Sequence, residues 1–223
     1  MSNDRDKLND LKLALSPGDT PARPFRTSTI RKVRDVDVRE GLKVAVASRM
    51  GDQPHLLVPE VSIRWSVPAR ADALLVGNRI CGFEIKSDID SLTRLPRQVE
   101  AYGQVVERAY LVVGERHRAK ATTLVPEWWH IWVASWREER VVVRETRRGR
   151  LNPAVSPLAV TSFLSREQLV IELSRLGEKH LSSLTVDDLR VMLVGLLGAA
   201  GTMKVARARM LDRTDWQRRS MAV

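Results

Sequence analysis

From Asp37 to Met50, Val38, Leu42, Ala45 and Val46 fall on one stripe, which predicts an amphipathic helix. Asp35 or Asp37 is placed to cap it, and Glu40 in its first turn suits the positive end of the helix dipole. The period then changes. Leu56–Val58 and Val61–Ile63 read as strand interrupted by Pro59. Ala71–Val76 and Arg79–Lys86 read as a hairpin turning at Gly77-Asn78. Over Leu92–Val106 helical spacing returns through Leu95, Val99, Tyr102 and Val106, and Pro96 fits if it lies in the first turn. Ala109–Gly114 reads as a buried strand, Arg116–Leu124 as a short helix, Trp128–Ser135 as a strand, and Val141–Val143 as a strand in a charged setting. This order of helix, three strands, helix, strand, helix and strand predicts a mixed α/β core.

Beyond Pro157 the pattern is helical. One helix spans Leu164–Leu176 with Ser165 as its cap, a second opens at Thr185 and runs through Leu197, and a last spans Thr202–Trp216. The run LNPAVSP marks a boundary between core and extension. The expected organisation is a basic N-terminal arm at 1–29, a core at 30–150 and a helical C-terminal extension at 151–223.

Composition narrows the function classes. At 43% hydrophobic and 29% charged, the 223 residues can bury a sizeable core, against a mainly disordered chain. The 37 Lys and Arg outnumber the 27 Asp and Glu, and a net charge of +10 favours an anionic partner, nucleic acid or an anionic membrane surface. Arg137–Arg150 holds six arginines against three glutamates, and Lys204–Val223 six basic residues against two acidic. Charges interspersed through the C-terminal helices, and the absence of any long uninterrupted apolar run, argue against a membrane role. Cys81 is the single cysteine, which excludes a disulfide framework and a multi-cysteine zinc site. The opening MSNDRDKLND has no apolar core of a secretory signal, so a soluble cytoplasmic protein is expected.

Candidate chemistry gathers in ADALLVGNRICGFEIK. Glu84 and Lys86, two apart, share one face of a strand, and antiparallel pairing brings Asp72 towards that face. Two carboxylates at the end of a sheet suit Mg²⁺ or Mn²⁺, with the carbonyl oxygen of Ile85 as a further ligand. A metal held there would bind a phosphate and acidify a water, and Lys86 would orient that water or stabilise charge at phosphorus. Gln98 and Tyr102, four apart, share a helix face just beyond.

Asp72 followed by Glu84-x-Lys86 resembles the core of the PD-(D/E)XK nuclease superfamily. Gln98-x-x-x-Tyr102 is similar to the Q-x-x-x-Y motif of its RecB-like and lambda-exonuclease-like branch. The longer string Arg70–His117, followed by VPEWW, resembles the sce7726 family of bacterial and phage proteins. That resemblance covers roughly residues 33–136 and extends weakly to Arg213-x-x-Trp216. It implies a restriction-endonuclease-like core, a mixed central sheet flanked by helices. It also implies Asp72 and Glu84 as metal carboxylates, Lys86 as the catalytic lysine, Glu60 as a further metal or water-binding group, and Gln98 and Tyr102 as residues that position the substrate backbone or a metal-bound water. Ala71 stands where the superfamily's name has proline.

Each of these residues also has an ordinary reading. Glu84, Lys86 and Asp72 can form an exposed salt bridge, and Gln98 and Tyr102 can serve packing alone. Arg94 and Arg97 contact phosphate or are simply solvated. Asp88 and Asp90 read as caps of the next helix, with the metal rim as the alternative for one of them. His117 reads as a surface or helix-start residue, His130 as part of a packed strand start, and Trp128-Trp129 as packing, with base stacking as the alternative. Cys81 reads as a small buried hydrophobe.

The expected function is metal-dependent hydrolysis of DNA phosphodiester bonds in bacterial or phage repair, recombination or processing, with RNA also open as substrate. A homo-oligomer, or a partner from recombination or repair, is compatible with the sequence. A non-catalytic nucleic-acid-binding protein that retains the fold, and a virion or structural adaptor, are the alternatives.

Overall fold

Six strands in sequence order build one mixed sheet, in a computed structural model that describes residues 31–220. The arm expected at 1–29 lies outside the described residues. Strands β1 (Leu56–Ile63), β2 (Ala69–Val76) and β3 (Ile80–Lys86) form an antiparallel meander. Strand β4 (Arg108–Gly114) pairs parallel to β3, and β5 (His130–Arg137) parallel to β4. Strand β6 (Arg140–Arg147) closes the far edge antiparallel to β5. The expected mixed α/β class is therefore what the chain adopts.

Helix α1 (Asp35–Met50) covers one face. Its Val38, Leu42 and Val46 pack against Leu75, Phe83, Val112 and Trp132. Neither Asp35 nor Asp37 is its cap. The helix begins at Asp35, Arg34 occupies the cap position, and the Asp37 carboxylate accepts the Arg34 N–H at 3.2 Å.

The opposite face carries α2 (Leu95–Val105) and α3 (Arg118–Leu124), which follows a 3-10 turn at Glu115–His117. Pro96 sits in the first turn of α2, where its missing N–H costs no helical bond. The C-terminal segment adds four helices: α4 (Pro157–Val160), α5 (Arg166–Arg175), α6 (Val186–Leu211) and α7 (Thr214–Arg219). Ser165 and Thr185 cap α5 and α6 through their side chains. Where two helices with a gap between them were expected, α6 runs on through a break at Gly198, whose φ of 61° suits glycine. Short α4 carries no helical period long enough to read from sequence.

These helices share the core of the sheet. Phe163, Leu169, Leu189, Met210 and Trp216 belong to the same buried cluster as Tyr102 and Leu111, so α2 lies in a core shared by the sheet and the extension. By length and apolar content α6 would suffice to cross a membrane. Here its Leu189, Leu193, Met203 and Met210 are buried against the rest of the chain.

Pro59 does not interrupt β1. It pairs with Ala73 on an edge strand, where a missing N–H is tolerated. The irregularity falls one residue later. Glu60 has φ 52°, and the regular pairing skips Glu60 and Asp72, which face each other across the two strands. Past that point the phase of both strands shifts. Val61 and Ile63 lie on the same face as Val58, and Ala71 on the same face as Leu74. The shift frees Asp72 from the β2–β3 ladder as well, whose last regular pair is Ala73 with Phe83.

Candidate active site

The β2–β3 ladder opens beside Asp72. There the Ile85 N–H is donated to the Asp72 Oδ2 at 2.8 Å. A carboxylate thus replaces the backbone carbonyl that a continued ladder would supply. From the other side, the Arg39 guanidinium of α1 donates to the Asp72 backbone oxygen at 3.1 Å and lies 3.6 Å from Oδ1.

All seven residues of β3 are buried, so its alternation decides what each face receives. Phe83 and Ile85 point to the α1 face. Glu84 and Lys86 point to the α2 face and are 0% and 4% exposed. Burial of two charged side chains requires partners. The Lys86 ammonium pairs with Glu84 and donates to Gln98 Oε1 at 3.0 Å. The Tyr102 hydroxyl lies 2.8 Å from the Phe83 carbonyl oxygen and 3.2 Å from Glu84 Oε2. Gln98 and Tyr102, one helical turn apart, thereby hold Lys86 and Glu84 in place.

Burial pushes the Asp72 carboxyl upward, against the pull of the Ile85 N–H, Lys86 and Arg39. Burial, and then the charge of Asp72, push Glu84 up to about 7, against Lys86 and Tyr102. The charge of Asp72 thus raises the cost of ionising Glu84, and a site that holds both carboxyls favours an added cation. Burial and the neighbouring carboxylates push the Tyr102 hydroxyl well above its ordinary value, so it remains a donor.

These groups open into a cleft of about 470 Å³, lined also by Arg94, Arg97, Asp90, Arg70 and Arg39. Asp72, Glu84, Ile85, Lys86, Gln98, Arg94 and Arg97 meet there as the sequence suggested. Tyr102 stands behind them, fully buried. Glu60 is placed differently. It is half exposed, its Oε2 lies 3.4 Å from the Arg70 guanidinium, and it reaches the cleft only through that arginine.

The expected capping roles of Asp88 and Asp90 are corrected, since Arg94 holds the cap position of α2. Asp88, 4% exposed, accepts the N–H of Val33 at 2.8 Å and of Arg116 at 3.1 Å and so ties the α1 entry to the end of β4. Asp90 accepts the Ser87 N–H and hydroxyl at 2.7 and 2.6 Å and stabilises the turn after β3 at the cleft rim. Sequence reading missed Arg39 and Arg70. Arg39 sits four residues from Asp35 and pairs with it, which reads as a surface helix pair and gives no pointer to a cleft.

Among the described residues no three His, Cys, Asp or Glu side chains form a ready metal cage. The donor set is two carboxylates and the Ile85 carbonyl, which suits an ion that keeps several of its waters, as Mg²⁺ does.

No curated protein and no solved structure matches the chain. Residues 42–194 match the family described as Bacteriophage P4 protein cII. The match runs from inside α1 into α6 and contains every cleft residue except Asp35 and Arg39. Spanning well over half of the sequence, it shows that the chain belongs to the Bacteriophage P4 protein cII family.

Proposed function

We propose that the chain is a metal-dependent nuclease of the PD-(D/E)XK type that hydrolyses DNA phosphodiester bonds in phage or bacterial DNA processing. The observation that carries this reading is the meeting of Asp72, Glu84 and Lys86 where β2 and β3 part, with Asp72 fixed by the Ile85 N–H. The order of one helix, three antiparallel strands, a crossover helix and a parallel strand supports a restriction-endonuclease-like core.

Asp72, Glu84 and the Ile85 carbonyl are the groups that would hold Mg²⁺ or Mn²⁺, with Glu60 too far out to join unless Arg70 releases it. Such an ion, when bound, polarises the scissile phosphate and acidifies a water. The chain's own residues do the rest. Lys86, held between Glu84 and Gln98, offers its ammonium to the charge that grows on the phosphoryl oxygens during attack. Gln98 keeps that ammonium from swinging away. Tyr102 fixes the Glu84 carboxylate from the rear and leaves its forward side to the cleft. Arg94 and Arg97 on the first turn of α2 and the residue before it, with Arg70 opposite, meet the flanking phosphates.

The test is cleavage of linear, nicked, circular and single-stranded DNA, and of RNA, with Mg²⁺, Mn²⁺ or EDTA. Cutting that needs the metal and is lost in both Asp72→Ala and Lys86→Ala supports the proposal. Binding without cutting in every metal, unchanged by either substitution, would overturn it in favour of a non-catalytic nucleic-acid-binding protein.

A further inference from the structure

A second pocket lies on the α1 face of the sheet, at the hairpin end of β2 and β3, away from the carboxylate cleft. It encloses about 300 Å³, at the lower end of the range for small-molecule sites. Its walls carry four guanidinium groups, those of Arg49, Arg79, Arg108 and Arg148, and no carboxylate. Glu145 lies 3.5 Å from Arg49, and Glu107 lies 2.7 Å from Arg79, so these two are partly neutralised from behind. Arg108 and Arg148 have no carboxylate partner among the described residues. Arg108 instead donates to His130 Nε2 at 3.1 Å. An arginine only donates, so Nε2 accepts and the His130 proton is on Nδ1, bonded to Glu145 Oε1 at 2.6 Å. Burial lowers the tendency of His130 to protonate, which keeps this arrangement neutral at the ring.

The floor is aromatic. Phe83 stacks on Tyr110 at 4.7 Å, and Tyr110 on His130 at 4.3 Å, a ladder across β3, β4 and β5. Trp132 stands edge-on to Phe83 and Tyr110 at 5.8 and 5.0 Å. The Arg49 guanidinium lies 5.7 Å from the Trp132 ring centre. These rings are buried and hold the guanidiniums at the pocket's surface. Guanidiniums match a flat ring that carries an anion, since they stack on aromatic faces and their forks match phosphate geometry.

We infer that this pocket binds a nucleoside 5′-monophosphate, free or as the phosphorylated 5′ end of a strand. Arg108 and Arg148 take the phosphate, and the base stacks on the outer face of the Arg49 guanidinium, which the buried Trp132 ring backs from below. The site is separate from the carboxylate cleft and needs no metal.

Calorimetric titration in EDTA tests this with adenosine 5′-monophosphate, adenosine, inorganic phosphate, and an oligonucleotide with and without its 5′ phosphate. The expected result is that the monophosphate binds at least about tenfold more tightly than adenosine or phosphate alone. Arg148→Ala, an exposed change, and Arg108→Ala should each weaken it about tenfold or more. Asp72→Ala should bind it as the unaltered protein does, whether or not the cleft cuts DNA. A preference for the 5′-phosphorylated oligonucleotide over both the free nucleotide and the unphosphorylated strand assigns the pocket to a strand end, and equal binding by nucleotide and phosphorylated strand to a free nucleotide. Equal binding of adenosine and its monophosphate, or no loss in Arg148→Ala, would overturn the inference.

Discussion

The Tyr102 ring occupies the space above Gly82: a Cβ added to Gly82 would come within 2.5 Å of the ring carbon Cε1. Gly82 lies on β3 two residues before Glu84, and the same ring delivers its hydroxyl to Phe83 and Glu84. Fold and site are therefore coupled through one contact. Gly82→Ala must push the ring away, and overpacking of this kind costs about 1–3 kcal/mol. Denaturant unfolding should register that loss, and metal-dependent cleavage should fall with it.

Tyr102→Phe separates packing from hydrogen bonding. The ring stays, while the Phe83 carbonyl oxygen and Glu84 lose a donor. Removing one partner of a buried bond costs about 1–3 kcal/mol. Cleavage should drop at saturating Mg²⁺, with DNA affinity in EDTA unchanged. Equal loss of both would mean that the hydroxyl only supports the fold.

Glu84 gives the site a pH dependence. Its carboxyl is held at about 7 against an ordinary 4.5. The folded protein therefore retains this proton where the unfolded chain has released it. Stability from this group is full below about 4.5 and is lost as pH rises through about 7. A shift of that size corresponds to ~3 kcal/mol. In EDTA, the unaltered protein should lose stability relative to Glu84→Gln across that interval. Added Mg²⁺ should reverse the loss above neutrality only in the unaltered protein. Parallel unfolding curves for the two proteins at every pH would sink the assignment.

Glu107 joins two parts of the chain that are far apart in sequence. It is 4% exposed, accepts the Ile80 N–H at 2.8 Å, and pairs with Arg79 at 2.7 Å and with Arg207 of α6 at 3.1 Å. Glu107→Ala leaves that N–H unpaired next to two guanidiniums. A cost of about 2–4 kcal/mol is expected, discounted because Arg79 is half exposed. Urea titration followed by both tryptophan fluorescence and helical signal checks it, with a lower midpoint expected in both.

How far the sequence carries depends on the range of each interaction. Helical spacing suffices for α1 and α2, each with one buried face. Apolar runs bounded by turn residues suffice for β2 and β3, where strand alternation then sorts the side chains of the fully buried β3 onto its two faces. Glu84 and Lys86 follow from that alternation, and Gln98 and Tyr102 from one helical turn. The Glu60 backbone is not legible in this way. Its left-handed φ shifts the phase of β1, and no local residue type announces it. Asp88 is hidden for a second reason. Its acceptors' partners, Val33 and Arg116, come from opposite sides in sequence, so it resembles a helix cap until the chain is folded. The extension reads as an appendage because its helices are amphipathic in their own right, although their apolar faces enter the core that holds α2.

Arg94 and Arg97 carry a prediction that separates phosphate contact from simple solvation. Both line the cleft beside Lys86 and Gln98. A guanidinium that neutralises a phosphate releases a counterion, and each such contact contributes about 0.9 to the slope of log affinity against log salt on duplex DNA. The double variant Arg94→Ala, Arg97→Ala should therefore bind duplex more weakly at low salt and show a slope shallower by about 2. The measurement is fluorescence anisotropy in EDTA over a series of NaCl concentrations. Arg70→Ala should reduce the slope by less, because Glu60 already neutralises part of its charge. An unchanged slope in the double variant would mean that both arginines are solvated and that phosphate contact lies with other basic segments, such as Arg137–Arg150.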